Sequence, residues 1–219
     1  MDNSNPQQAD TAASEQSTGE GLHGTITRTN DVGAVIEIAT FERGVLQGRF
    51  RQYDDEGRLL HQSEFSGGRL NGVAVNYDRD GRITTQTSYV DGRRDGPAAI
   101  YAMGRPVMYA TYHDNVLEGE LYNYSEGGGL AMTTPFVGGV RHGVATIYRP
   151  DGTPQRTVSY QENLPHGPTE DFDEQGRLIR RTTFETGVKH GPEIEFDTLG
   201  KITSVARYVD GKLTASATK

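Results

Sequence analysis

Across 219 residues the chain is only 33% hydrophobic and holds 28 glycines, which excludes a thick globular core and points to short elements joined by tight turns. The formal net charge is −8 at pH 7, with no basic cluster of the kind that displaces counterions from phosphates, so no nucleic-acid partner is expected. There is no cysteine, which rules out disulfides, thiolate nucleophiles and cysteine-ligated zinc.

The N-terminal stretch is the first segment in chain order. Residues 1–22 are dense in Ser, Thr, Asn, Gln and Ala, and Asp2, Asp10, Glu15 and Glu20 face no Lys or Arg there, leaving 26 acids against 22 bases in the rest. Such composition predicts a disordered polar tether. Two origins fit it: an ordinary frayed terminus, or the leader that follows the acylated cysteine of a bacterial lipoprotein. The second would place the protein in the periplasm, with membrane contact only through a lipid anchor missing from this sequence; the first leaves a cytoplasmic location open. The stretch lacks the charged-then-apolar layout of a signal peptide, and no apolar run in the chain is long enough to span a bilayer.

From residue 23 onward the sequence repeats. A glycine recurs at Gly24, Gly48, Gly72, Gly96, Gly119, Gly143, Gly167 and Gly191, with every step 24 residues except one of 23. Five residues later stands an aromatic in all units but the first: Tyr53, Tyr77, Tyr101, Tyr124, Tyr148, Phe172 and Phe196, with Thr29 breaking the rule. A second glycine closes a turn, and eight residues after it comes a second aromatic: Phe41, Phe65, Tyr89, Tyr112, Phe136, Tyr160, Phe184 and Tyr208. A third turn residue follows, glycine in most units but Asn115 and Asn163 in two, Asn being the next residue most tolerant of positive φ.

Each unit therefore reads as one β-hairpin. In the third, Gly72–Tyr77 is a strand, Asp78-Arg-Asp-Gly81 a turn and Arg82–Tyr89 the return strand. Uninterrupted alternation would put Val73, Val75 and Tyr77 on one face with Ile83, Thr85, Thr87 and Tyr89, and Ala74 and Asn76 on the other. The expected fold is all-β: eight tandem hairpins over residues 23–219 in an elongated, curled, single antiparallel sheet of about 16 strands, about 75 Å long at roughly 4.8 Å per strand. The degenerate first unit, with Thr25, Thr27 and Thr29, has the look of a terminal cap.

The pattern Phe65-Ser-Gly-Gly-Arg-Leu-Asn-Gly72 followed by Tyr77-Asp-Arg-Asp-Gly81 resembles the MORN repeat, and Arg141-His-Gly143, Pro165-His-Gly167 and Lys189-His-Gly191 resemble its Arg-His-Gly segment. Gly57-Arg-Leu59, Gly176-Arg-Leu178, Gly167-Pro168 and Gly191-Pro192 are similar to the bacterial variant found in YwqK-type antitoxin proteins. The resemblance covers residues 24–212. It implies an antitoxin or immunity protein that neutralises a toxic effector, including effectors delivered by type VI secretion; a periplasmic location would make a lipase a fitting target. MORN repeats are also linked with scaffolding and phospholipid contact, which leaves an envelope-associated scaffold or adaptor as the alternative. The chain has no tryptophan, a departure from the MORN consensus that weakens the lipid reading in particular.

Candidate chemistry is sparse, and no enzyme activity, cofactor or metal is expected. His23, His142, His166 and His190 share the repeat position before the opening glycine, where other units carry Gln47, Asn71, Asp95 and Glu118. Equivalent side chains two strands apart stand roughly 9.6 Å from one another, too far for one zinc ion that needs each nitrogen at about 2 Å. His61 and His113 have no partner in the sequence that suggests a triad. The run Glu126-Gly-Gly-Gly129 lacks the Lys-Ser/Thr and the helix of a phosphate loop. Acids such as Asp54, Asp55, Asp78, Asp80, Asp173 and Glu174 fall in turns, where Asp bonds its own backbone.

A protein partner remains. The unit opened by Gly96 is one residue short in its first turn and the next carries the glycine run; together they hold Met103, Arg105, Met108, Tyr109, Tyr112, Tyr122, Tyr124 and Met132, residue types enriched at interface centres. The ordinary role of most is packing on the aromatic face. Tyr109 is the exception by parity with Met108 and Tyr112. Met103, Arg105 and Tyr109 are thus the first candidates for partner binding, with Tyr122 and Glu126 beside them.

Overall fold

The fold, a computed structural model that describes residues 21–218, answers the repeat directly: the described residues form strands and turns only. By contacts it divides into two units, one containing the described residues to Ile83 together with Tyr89–Gly92, the other Thr84–Ser88 with the residues from Arg93 onward. In the first, β1 (Gly24–Thr29), β2 (Val35–Glu42), β3 (Val45–Tyr53) and β4 (Leu59–Ser66) pair in sequence order, and β4 continues onto the short β5 (Arg69–Leu70) and β6 (Gly72–Tyr77). Strand β7 (Ile83–Val90) contributes residues to both units.

The second unit continues the same antiparallel scheme. Strands β8 (Arg93–Ala102) and β9 (Arg105–His113) form a hairpin, and β9 passes the ladder to β10 (Val116–Leu117) and β11 (Gly119–Tyr124). Then follow β12 (Leu130–Val137), β13 (Val140–Arg141), β14 (Gly143–Tyr148), β15 (Pro154–Gln161), β16 (Leu164–Phe172), β17 (Leu178–Glu185), β18 (Val188–Phe196), β19 (Ile202–Val209) and β20 (Lys212–Thr218). Each pairs antiparallel with its chain neighbours, except that β12 bonds both β13 and β14. The all-β tandem-hairpin expectation is met. The tether expectation falls outside the described residues except at its end, where the Leu22 carbonyl already accepts a bond of 2.7 Å from Gly44 N–H.

Two kinds of turn alternate. The connection between repeats is a two-residue turn with both central φ values positive, as at Arg43-Gly44 (51°, 78°) and Asp210-Gly211 (48°, 77°), the type whose twist suits a hairpin. The second residue of each such turn donates its N–H to a carbonyl of the preceding repeat: Gly44 to Leu22, Gly68 to Leu46, Gly92 to Leu70, Asn115 to Arg94, Gly139 to Leu117, Asn163 to Arg141, Gly187 to Pro165 and Gly211 to Lys189. One such bond, worth about 1 kcal/mol net, therefore ties every repeat to the next. Asn115 and Asn163 add to it, since their Oδ1 atoms accept from Arg94 N–H and Arg141 N–H at 2.8 and 2.9 Å.

The sequence expectation of uninterrupted alternation needs a correction. The return strand carries one residue more than the outgoing strand just before the first aromatic: Gln52 faces His61 while Tyr53 faces Leu59, and the same slip recurs at Asn123/Tyr124, Ile147/Tyr148, Asp171/Phe172 and Glu195/Phe196. This bulge turns the strand by one side chain. Before the bulge the register is regular, and the residue two after the opening glycine opposes the residue two before the second aromatic: Ala98 faces Ala110, Leu121 faces Thr134, Ala145 faces Val158. That row is the core, and its most buried members are small. Ala110 is 0% and Ala145 1% exposed, with Ala39, Ser63, Thr134 and Thr182 also buried. Ala74 and Val75, assigned by alternation to opposite faces, are both buried.

The opening glycine faces the second aromatic across the ladder, as Gly143 faces Tyr160. At φ 110° a side chain there would meet Pro135 at 3.0 Å, so glycine is required for backbone and space alike. The aromatics are packed by the residue two before the next opening glycine: Leu46 opposes Phe41 and Leu70 opposes Phe65. Cations serve the same row, with Arg94 over Tyr112 at 4.1 Å, Arg141 over Tyr160 at 4.4 Å and Lys189 over Tyr208 at 4.8 Å.

Candidate functional site

The irregular hairpin β8–β9 is where the repeat changes its chemistry. In five other units the first turn, begun at Asn30, Asp54, Asp78, Asp173 and Asp197, is closed by an Asx bond: Asp54 Oδ1 accepts from the N–H groups of Glu56 and Arg58 at 3.1 and 2.8 Å, and Asp173 does the same for Gln175 and Arg177 at 3.0 and 2.9 Å. Burial by itself would raise both carboxyl pKa values, but these N–H bonds and the ion pairs to Arg58 and Arg177, each at 2.7 Å, outweigh it and leave both acids below the ordinary carboxylate value. In β8–β9 the turn is two residues, Met103-Gly104, with Ala102 facing Arg105. Met103 has φ 51° and is 89% exposed.

That conformation is costly for Met. A side chain in the left-handed region costs roughly 1–2 kcal/mol, and only Asn, Asp and Gly relieve it locally. An exposed apolar tip on a strained turn gains nothing for the fold.

The structure brings the sequence candidates together in pairs. The Arg105 guanidinium donates to the Glu126 carbonyl at 3.2 Å, bridging two successive hairpin tips. Tyr109 and Tyr122 oppose each other across β9 and β11, with ring centroids 6.1 Å apart and planes inclined by 58°. Tyr109 is 40% exposed, as its parity requires, while Met108 and Tyr112 are half-buried. Glu126 enters through its backbone, leaving its carboxylate at the exposed tip.

The histidine position has a structural use that the sequence showed only as a polar preference. Its side chain reaches the first N–H of the next two-residue turn: Gln47 accepts from Gly67 at 2.8 Å, Asp95 from Asp114 at 3.2 Å, Glu118 from Gly138 at 2.7 Å and His166 from Thr186 at 3.4 Å. His190 instead pairs with Asp210 at 3.4 Å. Any acceptor serves, which explains why His, Gln, Asp and Glu interchange. Among the described residues no three His, Asp or Glu side chains gather as metal ligands.

Two arrangements went unread in the sequence. In the first unit, His61 has Ser63 Oγ at 3.0 Å from Nε2 and Asn76 Oδ1 at 2.8 Å from Nδ1, a serine–histidine–amide order. Ser63 is 2% exposed and Phe50 lies edge-on to His61 at 6.1 Å, so the hydroxyl is packed away. Ser63 occupies the small buried row and borders a hollow of 260 Å³ with Arg49, Arg51 and Glu64 on its wall. The geometry is that of a satisfied polar ladder. In the second unit Glu193 occupies the same row and is held by Lys189 Nζ at 2.6 Å, Thr182 Oγ1 at 2.9 Å and Tyr208 OH at 3.4 Å. Burial opposes its ionisation, and the Lys189 and Thr182 bonds overcome that, holding the carboxyl below its usual value. Charges missing from the small-residue rule are thus paired where they occur.

No family model matches the chain, and no curated protein does. Among solved structures, a porin-like protein from Bacteroides uniformis ATCC 8492 is similar at 12% identity over 83% of this chain and 88% of that one, with a TM-score of 0.21. A superposition that loose carries no argument about either fold or function.

Proposed function

We propose that this protein is an immunity protein of the MORN-like, YwqK-type antitoxin kind: it binds a cognate toxic effector and neutralises it by covering it, a lipase delivered by type VI secretion into the periplasm being the fitting target. The observation that carries the reading is Met103. Arg43, Glu162 and Thr186 share its backbone conformation with polar side chains, whereas Met103, among the described residues, is the one apolar side chain at positive φ; it is 89% exposed, flanked by Arg105 and close in sequence to the Tyr109–Tyr122 pair. Backbone strain without a folding benefit marks positions kept for contact, and Met, Tyr and Arg are the side chains that dominate interface energies.

The test is co-purification of the chain with the effector encoded beside its gene, together with rescue of cells that express that effector. A complex that protects the cells supports the proposal. If no effector binds and no cell is rescued, the proposal fails, and a scaffold or adaptor role, recognised by retention of envelope proteins instead, takes its place.

A further inference from the structure

Resting on that reading, we infer that the effector is met by one particular face of the second unit: an uncharged strip running across β9, β11, β12, β14 and β15 through Tyr109, Tyr122, Thr133, Thr146 and Thr157. The pairing fixes the line. Tyr109 opposes Tyr122, Tyr122 opposes Thr133, Thr133 opposes Thr146 and Thr146 opposes Thr157, so five side chains on five adjacent strands share one face. At about 4.8 Å per strand the strip is roughly 19 Å long.

Three features select this face. The other face of the same strands carries the buried row, Ala110 and Ala145 among it. The strip is half-exposed to exposed along its length, and Val144 beside it is exposed as well. Its neutrality also ends abruptly: the next pair along the line, Glu170 and Arg181, is an ion pair at 2.7 Å. In a chain that is 24% charged, five consecutive neutral positions rich in tyrosine and hydroxyls form a surface whose electrostatic complement is a neutral surface. Tyrosine with small hydroxylated neighbours supplies rigid contact area and adaptable hydrogen bonds at low entropic cost, the chemistry of protein paratopes. The partner surface is therefore expected to be uncharged at its centre, and the complex insensitive to salt.

The experiment measures the affinity of the co-purified effector for the full chain and two variants, each first shown to melt as the wild type does. Thr146→Lys puts a charge at the centre of the strip and should weaken binding by about 100-fold or more. Ile100→Lys, at an exposed position facing Met108 on the opposite side of the sheet, should leave it within about twofold. Raising salt tenfold should change wild-type affinity by less than about threefold. Full binding by Thr146→Lys, or a steep salt dependence, overturns the assignment of the face while the immunity reading stands. If no complex forms at all, both fall. A neutral glycan as the true occupant would show as chitohexaose binding that Thr146→Lys abolishes while effector affinity is unchanged, which also overturns the inference.

Discussion

The hairpins β16–β17 and β8–β9 occupy equivalent places in the repeat and treat their tips in opposite ways. In β16–β17, Asp173 closes the turn with two backbone bonds and an Arg177 ion pair, spending all its polar groups on the fold. In β8–β9 the turn is shorter, the acid is gone, and Met103 stands exposed in a conformation suited to Asn or Gly. Arg43, Glu162 and Thr186 share that conformation at the connections between repeats, so what sets Met103 apart is its apolar side chain and not the strain alone.

The largest expected effect tests whether the irregular hairpin is nonetheless regular on its inner face. Ala110→Leu, at a position with no exposed surface, should destabilise by about 2–3 kcal/mol through overpacking, read as a drop in urea midpoint with unchanged slope; a smaller loss than that of an exposed Val144→Leu control would break the comparison. Next comes a regular repeat. Gly143→Ala adds a Cβ at φ 110° and 3.0 Å from Pro135, and should cost about 1–2 kcal/mol by the same measurement.

Met103→Asn goes the other way. Restoring the residue type the turn prefers should raise stability by about 1 kcal/mol and weaken effector binding at the same time, a trade that a purely structural Met103 would not show. The smallest effect separates the two turn chemistries by pH. Asp54, Asp151 and Asp173 have folded pKa values below their unfolded ones; for Asp151 the Thr153 hydroxyl, at 2.6 Å, and the Thr153 N–H lower it against burial. Their stabilisation is therefore complete above the unfolded value of about 3.9 and fades as pH falls through the lowered ones. Urea midpoints should decline below about pH 4, and Asp54→Asn with Asp173→Asn should flatten that decline by keeping the Oδ1 acceptor without the titration.

The sequence made the repeat, its hairpins and its turn residues legible because glycine and aromatic positions recur in register, and each answers to a backbone requirement. It made Tyr109 legible through parity, because no register slip separates Tyr109 from Tyr112. Uninterrupted alternation failed because the one-residue bulge, as at Gln52/Tyr53 and Ile147/Tyr148, leaves no mark in composition. The buried row was overlooked because Ala39, Ser63, Ala110, Thr134 and Thr182 share small size and no chemistry. The contacts of Gln47, Asp95, Glu118 and His166 with the next turn lie about 20 residues away, and only the pairing of strands reveals them. A repeat-aligned reading could have found both, by asking what eight residues at one position have in common.

The most direct test of the irregular hairpin as a contact site is the dissociation constant of Tyr109→Ala for the co-purified effector, with its melting curve as control. Loss of a central interface tyrosine should cost about 2 kcal/mol, weakening the complex roughly 30-fold while the fold melts as before. Unchanged affinity in a fully folded variant would contradict the account.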